Sequence, residues 1–186
     1  MTILCVMRSA GVAVAMVLLS ASTAFAHPTE LHGSQFEFNP WSRQEEMRFL
    51  EVMMDRHALA AQMGKLARQR GKHAQLRSWG DSLSTTHAAE AKRIQGLLLS
   101  GYQVTRMPVK EAGASPLAKL KGAEFEQEFL ELVIRELGQG LGEARKCQGM
   151  TTNEDLQRTC AGWANSQRRE VVAAGGWLCE WYHKCE

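Results

Sequence analysis

The sequence predicts an all-α fold, an antiparallel four-helix bundle assembled from two copies of one helical hairpin. Three observations predict it. Apolar residues recur at steps of three and four over four long stretches, strand-type alternation is almost absent, and the second half echoes the first at a constant offset of 80 residues.

The chain has 186 residues, with 22 Lys plus Arg against 20 Asp plus Glu and 45% hydrophobic residues, enough for one sizeable core. A formal charge of +2 provides no field to hold a nucleic-acid polyanion, and the apolar content excludes intrinsic disorder. Met1 to Ala26 reads as a cleaved secretory signal peptide: Arg8, an apolar run from Ala10 to Leu19, and an A-x-A site at Ala24-Phe25-Ala26. That run is about half of what spans a bilayer, which argues against a membrane anchor. Cys5 precedes it, where lipid attachment is not expected. The mature chain would start at His27 in the periplasm or outside the cell, with 21 basic residues (22 less Arg8) and 20 acidic ones.

Residues 27–41 read as an N-terminal extension and 42–186 as the bundle, with hairpins over about 42–101 and 122–186 and a linker over 102–121. The first helix is predicted from Arg43 to Arg70, opened by a Ser42-x-x-Glu45 capping box after Pro40 and closed near Gly71. The second runs from Ala74 to Ser100, with Gly101 as the expected C-terminal cap. Pro108, Gly113 and Pro116 mark the linker. The third spans Ala123 to Lys146 with a break at Gly149, and the fourth runs from near Thr152 to Trp181.

The echo needs no gap. Glu46, Phe49, Leu50 and Glu51 match Glu126, Phe129, Leu130 and Glu131; Leu76, Glu90, Leu98 and Tyr102 match Leu156, Glu170, Leu178 and Tyr182. Neither hairpin could bury its apolar stripe alone, so the two must pack together. The mature chain keeps four cysteines, an even number that suits disulfides in an exported protein. Cys147 and Cys160 flank one turn on inward stripes, where a clasp is expected. Cys179 and Cys185 are too far apart on a continuous helix, so their bond requires the chain to fold back after Trp181.

Polar residues interrupt the middle of the stripes. His57 lies fifteen residues before Lys72 and His87 fifteen after it, so an antiparallel hairpin turning there sets both imidazoles at one height. Glu90 follows almost one turn later, level with Met53, and the offset of 80 puts Gln167 and Glu170 at the matching places on the fourth helix. Buried polar groups need partners. A metal ion would satisfy imidazoles and carboxylates together, and a thioether beside imidazole suits copper. The alternative, which ranks first on the residues alone, is a hydrogen-bonded His–Glu–Gln network that fixes helix register.

The run F49-L50-x-x-M53-M54-x-x-H57-x-x-A60-x-x-M63 resembles the first-helix signature of the domain of unknown function 305 family. The Gln167-x-x-Glu170-Val171 step, Trp177-Leu178 and the ending W177-L178-C179-E180-W181-Y182-x-x-C185 are similar to its second-helix signature and cysteine-bearing C-terminus. The resemblance implies an exported ferritin-like four-helix protein and, in some members, copper binding. The family's M-I-P-H-H is not intact: Met53-Met54-Asp55-Arg56-His57 keeps one histidine, Arg135-Glu136-Leu137 keeps none, and Glu143 stands where Met63 has its counterpart. A full copper site therefore does not carry over. What the resemblance transfers is Met53, His57 and Met63, while the hairpin geometry contributes His87, Glu90 and Glu170.

Two functions follow as expectations. One is a non-enzymatic exported protein holding a transition metal, copper first, at a single asymmetric site of Met53, His57, Met63, His87, Glu90 and Glu170. The other is a metal-free structural or interaction module that meets another envelope protein. His27, with His32 nearby, offers a weaker N-terminal chelate. No activated nucleophile, phosphate loop or oxyanion site points to an enzyme.

Overall fold

The computed structural model describes residues 39–109, 117 and 119–185. The predicted signal peptide, His27 and His32 lie outside the described residues. Four helices fill the rest: α1 (Arg43–Arg70), α2 (Ala74–Tyr102), α3 (Gly122–Met150) and α4 (Glu154–Tyr182). Among the described residues there are no strands, and no helix is long and apolar enough to cross a membrane.

The chain is a four-helix bundle of two hairpins, α1–α2 and α3–α4, joined mainly by packing of α1 on α3. The offset of 80 extends to the helix boundaries. The α1 and α3 C-caps, Gly71 and Thr151, are 80 apart, as are the α2 and α4 N-caps, His73 and Asn153. Gln103 and His183, also 80 apart, end α2 and α4 in the left-handed conformation at φ 58° and 56°.

Local chemistry accounts for the ends. The Ser42 hydroxyl and Glu45 carboxylate form the full capping box of α1. The Asn153 side chain accepts from the amides of Asp155 and Leu156 at the start of α4. Two predicted ends differ. α2 runs through Gly101 to Tyr102, because Gln103 takes the left-handed cap; α3 runs through Gly149 to Met150, because nothing there interrupts the backbone bonds. After His183 the chain folds back, and Cys185 bonds Cys179 with their Cα atoms 4.4 Å apart.

The apolar interior divides into two clusters. One collects Met63, Leu76, Phe125, Phe129 and Leu137; the other collects Phe49, Met53, Ile94, Leu98 and Trp163. The first hairpin is closed by small residues. A Cβ on Gly80 would lie 2.7 Å from the Ala67 methyl and from the Gly64 carbonyl oxygen, so only glycine permits that approach. In the second hairpin the equivalent positions, 80 later, are Cys147 and Cys160, which are bonded with their Cα atoms 6.1 Å apart.

Each hairpin also buries a glutamate at its start. Glu46 accepts from Tyr102 Oη at 2.9 Å and from Thr151 Oγ1 in the turn of the other hairpin. Glu126 accepts from Tyr182 Oη and from the Lys72 and His73 amides, at 2.5 and 2.8 Å, again in the opposite turn. Each first helix thus fastens the other hairpin's turn.

Candidate metal centre

The α1–α2 turn sets His57 and His87 at the same height, and the two rings meet. Their Nδ1 atoms lie 2.8 Å apart, a hydrogen-bond distance, with ring centroids 4.9 Å apart. Both residues are buried, and Trp163 of α4 lies against His57 with centroids 5.4 Å apart. From α4, Glu170 brings a carboxylate oxygen to 3.2 Å from His87 Nε2.

One proton must lie between two facing imidazole nitrogens. With His87 donating from Nε2 to the Glu170 carboxylate and both rings neutral, His87 Nδ1 accepts from His57 Nδ1. His57 Nε2 is then left with a lone pair, and that atom is buried without a hydrogen-bond partner. Burial, reinforced by neighbouring His87, pushes the His57 pKa down to about 3, so its ring is neutral at physiological pH. A buried polar atom without a partner costs about 1–3 kcal/mol.

Three of the other proposed ligands make contacts of their own. Glu90 accepts from Trp163 Nε1 at 2.8 Å and pairs with Arg93 at 3.5 Å. Met53 and Met63 are fully buried in the two separate apolar clusters. Gln167 is buried opposite Gly140, whose missing side chain makes room: a Cβ there would lie 2.9 Å from Gln167 Oε1. That oxygen also lacks a partner. Arg56, which replaces a histidine of the family pattern, directs its guanidinium to Gln139 at 3.2 Å and Glu136 at 3.6 Å on α3.

No Cα of α2 comes within 8 Å of one of α4. A groove of about 700 Å³ separates them, and His57, His87, Trp163 and Gln167 are among its lining residues. The separation explains why Glu90, expected to face inward, is only half-buried. Side chains bridge the groove at Trp163–Glu90 and at Arg93 Nη2 to Thr159 Oγ1, 3.2 Å.

The six expected ligands are therefore not brought together as one set, and the described residues contain no group of three His, Cys, Asp or Glu positioned to hold an ion. Nitrogens bind such ions at about 2.0–2.1 Å, so two of them on one tetrahedral ion stand about 3.3 Å apart. The 2.8 Å contact leaves no ion-sized space between the rings. What the residues offer an ion instead is one unpartnered nitrogen, His57 Nε2, on a residue that lines the groove. Glu46 and Glu126 entered the sequence reading only as members of the echo, and Trp163 was given no role in the site. The repeat of Glu46 with Tyr102 as Glu126 with Tyr182 was the available signal.

The family model for a domain of unknown function, DUF305, matches residues 46–178. The chain belongs to the DUF305 family. Its fold is similar to that of CopM in the Cu(I)-bound form, with a TM-score of 0.66 and 20% identity, covering 76% of this chain and 99% of that one. CopM in the Cu(II)-bound form gives 0.64 and 18% identity over 74% of this chain and 97% of that chain. A DUF305 fragment from Deinococcus radiodurans gives 0.66 and 20% identity over 76% and 99%. No curated protein matches the chain. At these identities the likeness shows the shared fold.

Proposed function

We propose that this DUF305 protein is an exported, non-enzymatic bundle that binds one soft transition-metal ion, copper first, at the His57–His87 pair. The observation that carries the reading is His57 Nε2, a buried nitrogen without a protein partner, on a residue that lines an open groove. A neutral imidazole offers a copper ion a lone pair without first losing a proton. His87 holds the second ring in place and is itself oriented by Glu170. CopM was solved with copper bound, and that supports the choice of ion without transferring its ligands. Export rests on the Met1–Ala26 leader and on the paired cysteines.

Titration of the mature protein with Cu(I) and Cu(II) should show one ion per chain. His57→Ala should weaken binding at least tenfold; unchanged affinity in that variant would eliminate the site.

The Nδ1–Nδ1 contact favours a second reading, because it pairs both nitrogens within the protein. In that reading the bundle is a metal-free module of the cell envelope. Protein isolated from the periplasm without added metal and free of copper by elemental analysis, together with no uptake on titration, would select it.

A further inference from the structure

The constant offset of 80 sets each face of one hairpin against its counterpart on the other. In the first hairpin Arg68 of α1 and Asp81 of α2 bridge the two helices at 3.0 Å. In the second, Gln148 and Ala161 occupy those positions, and the acid is gone. The cations are not. Lys65 recurs as Arg145 on α3, and Arg168 on α4 stands where the first hairpin has Ala88. Two cations with one anion have become two cations with none.

Both arginines line one pocket of about 240 Å³ between α3 and α4, together with Gln148, Ala161, Ala164 and Asn165. The two alanines leave the space open, no lining residue is acidic, and Gln148 and Asn165 offer side-chain amide N–H donors. Other exposed arginines are balanced by neighbouring acids: Arg68 by Asp81, Arg93 by Glu90, Arg135 by Glu136 and Arg158 by Asp155. Among the described residues, neither Arg145 nor Arg168 pairs with a carboxylate.

The structure assigns the α3–α4 pocket as an oxyanion site for a phosphate-type dianion. Two guanidinium groups drawn to one pocket repel each other, and a dianion neutralises both. Each guanidinium can offer a fork of two N–H donors, and a tetrahedral anion presents oxygens to donors arriving from two helices, where a carboxylate has only two. The pocket shares no lining residue with the α2–α4 groove, so this site is independent of the metal-binding reading.

The test is an NMR titration of the mature protein with inorganic phosphate, and with acetate at the same ionic strength and pH 7.5. Phosphate should shift the amide signals around Arg145 and Arg168 and bind at least tenfold more tightly than acetate. Ala161→Asp copies Asp81 of the first hairpin and supplies an internal anion at a half-buried position, so it should weaken phosphate binding at least tenfold. Arg168→Ala should do the same. Arg68→Ala changes the net charge by the same amount on the equivalent face of the other hairpin and should leave binding unaltered. Once phosphate binding is established, flotation with phosphatidylcholine vesicles containing phosphatidic acid identifies its source. Co-flotation that Ala161→Asp abolishes places the phosphate on a lipid; no co-flotation makes the ligand a soluble phosphate. Phosphate bound no better than acetate, or bound equally well by Ala161→Asp and the natural chain, would overturn the site.

Discussion

Arg56 and Glu136, 80 positions apart in the chain, meet between α1 and α3, with Nη1 and Oε2 3.6 Å apart. Equivalent positions of the two halves touch each other, so the pseudo-twofold relation between the hairpins passes close to this pair. About a quarter of each side chain is exposed, and such a pair contributes about 1 kcal/mol or less. Arg56 Nε is buried without a partner, which offsets part of that gain. Glu136→Ala is expected to cost no more than about 1 kcal/mol in urea unfolding. The Arg56→Leu, Glu136→Leu double variant should be at least as stable as that single variant, because it removes the unpartnered donor together with the charges.

Stability should fall in mild acid through His57. In the unfolded chain its ring takes up a proton near pH 6.5, whereas burial in the fold delays this to about pH 3. Between those values the unfolded state binds more protons, so this contribution is complete above pH 6.5 and shrinks as the pH drops toward 3. The loss by pH 4.5 is on the order of 3 kcal/mol. Urea midpoints at pH 7.5 and 4.5 should therefore differ less in His57→Leu than in the natural chain. Parallel behaviour of the two proteins would refute it.

The two hairpins should respond differently to substitution at their equivalent contact. Gly80→Ala places a methyl 2.7 Å from backbone and side-chain atoms of α1, and overpacking of this kind costs about 1–3 kcal/mol. Replacing Cys147 and Cys160 by Ala should cost about 2–4 kcal/mol through the freed unfolded chain. Dithiothreitol should lower the stability of the natural protein but leave the Gly80→Ala penalty unchanged.

The chain has two tyrosines, and both donate to buried glutamates. Burial and the bond to Glu46 push Tyr102 up to about 12; burial and the bond to Glu126 push Tyr182 up as well. Burial alone would raise Glu126, but hydrogen bonds from Tyr182 and His73 hold it below the usual carboxylate range. Phenolate absorbance of the folded protein should thus stay low at pH 10.5 and appear there on unfolding in urea. Half-ionisation of either tyrosine near pH 10 in the folded chain would contradict the paired arrangement.

Features fixed by local chemistry were legible in the sequence. The Ser42–Glu45 box and the turn at Gly71 depend on neighbours a few residues away, and the constant offset of 80 required no structure to detect. The common height of His57 and His87 could be counted outward from Lys72. Which carboxylate reaches the pair could not. Glu90 and Glu170 are equivalent by offset, yet the rotation of each helix and the spacing of α2 from α4 turn one to Trp163 and the other to His87. Glycines misled at two ends because Gly101 and Gly149 sit on open helix faces, where a Cβ would meet nothing within 4 Å. The left-handed cap was instead taken by Gln103, a residue without the glycine signature.

The contrast between Gly80 and Cys160 carries a consequence for maturation. The contact at Gly80 forms by close approach of the two backbones, in whatever thiol environment the chain finds itself. The second hairpin gains its covalent closure only where an oxidant is available. Under reducing conditions the two halves therefore differ: the close contact at Gly80 needs no oxidant, whereas its counterpart at Cys160 stays unlinked until the bond to Cys147 forms.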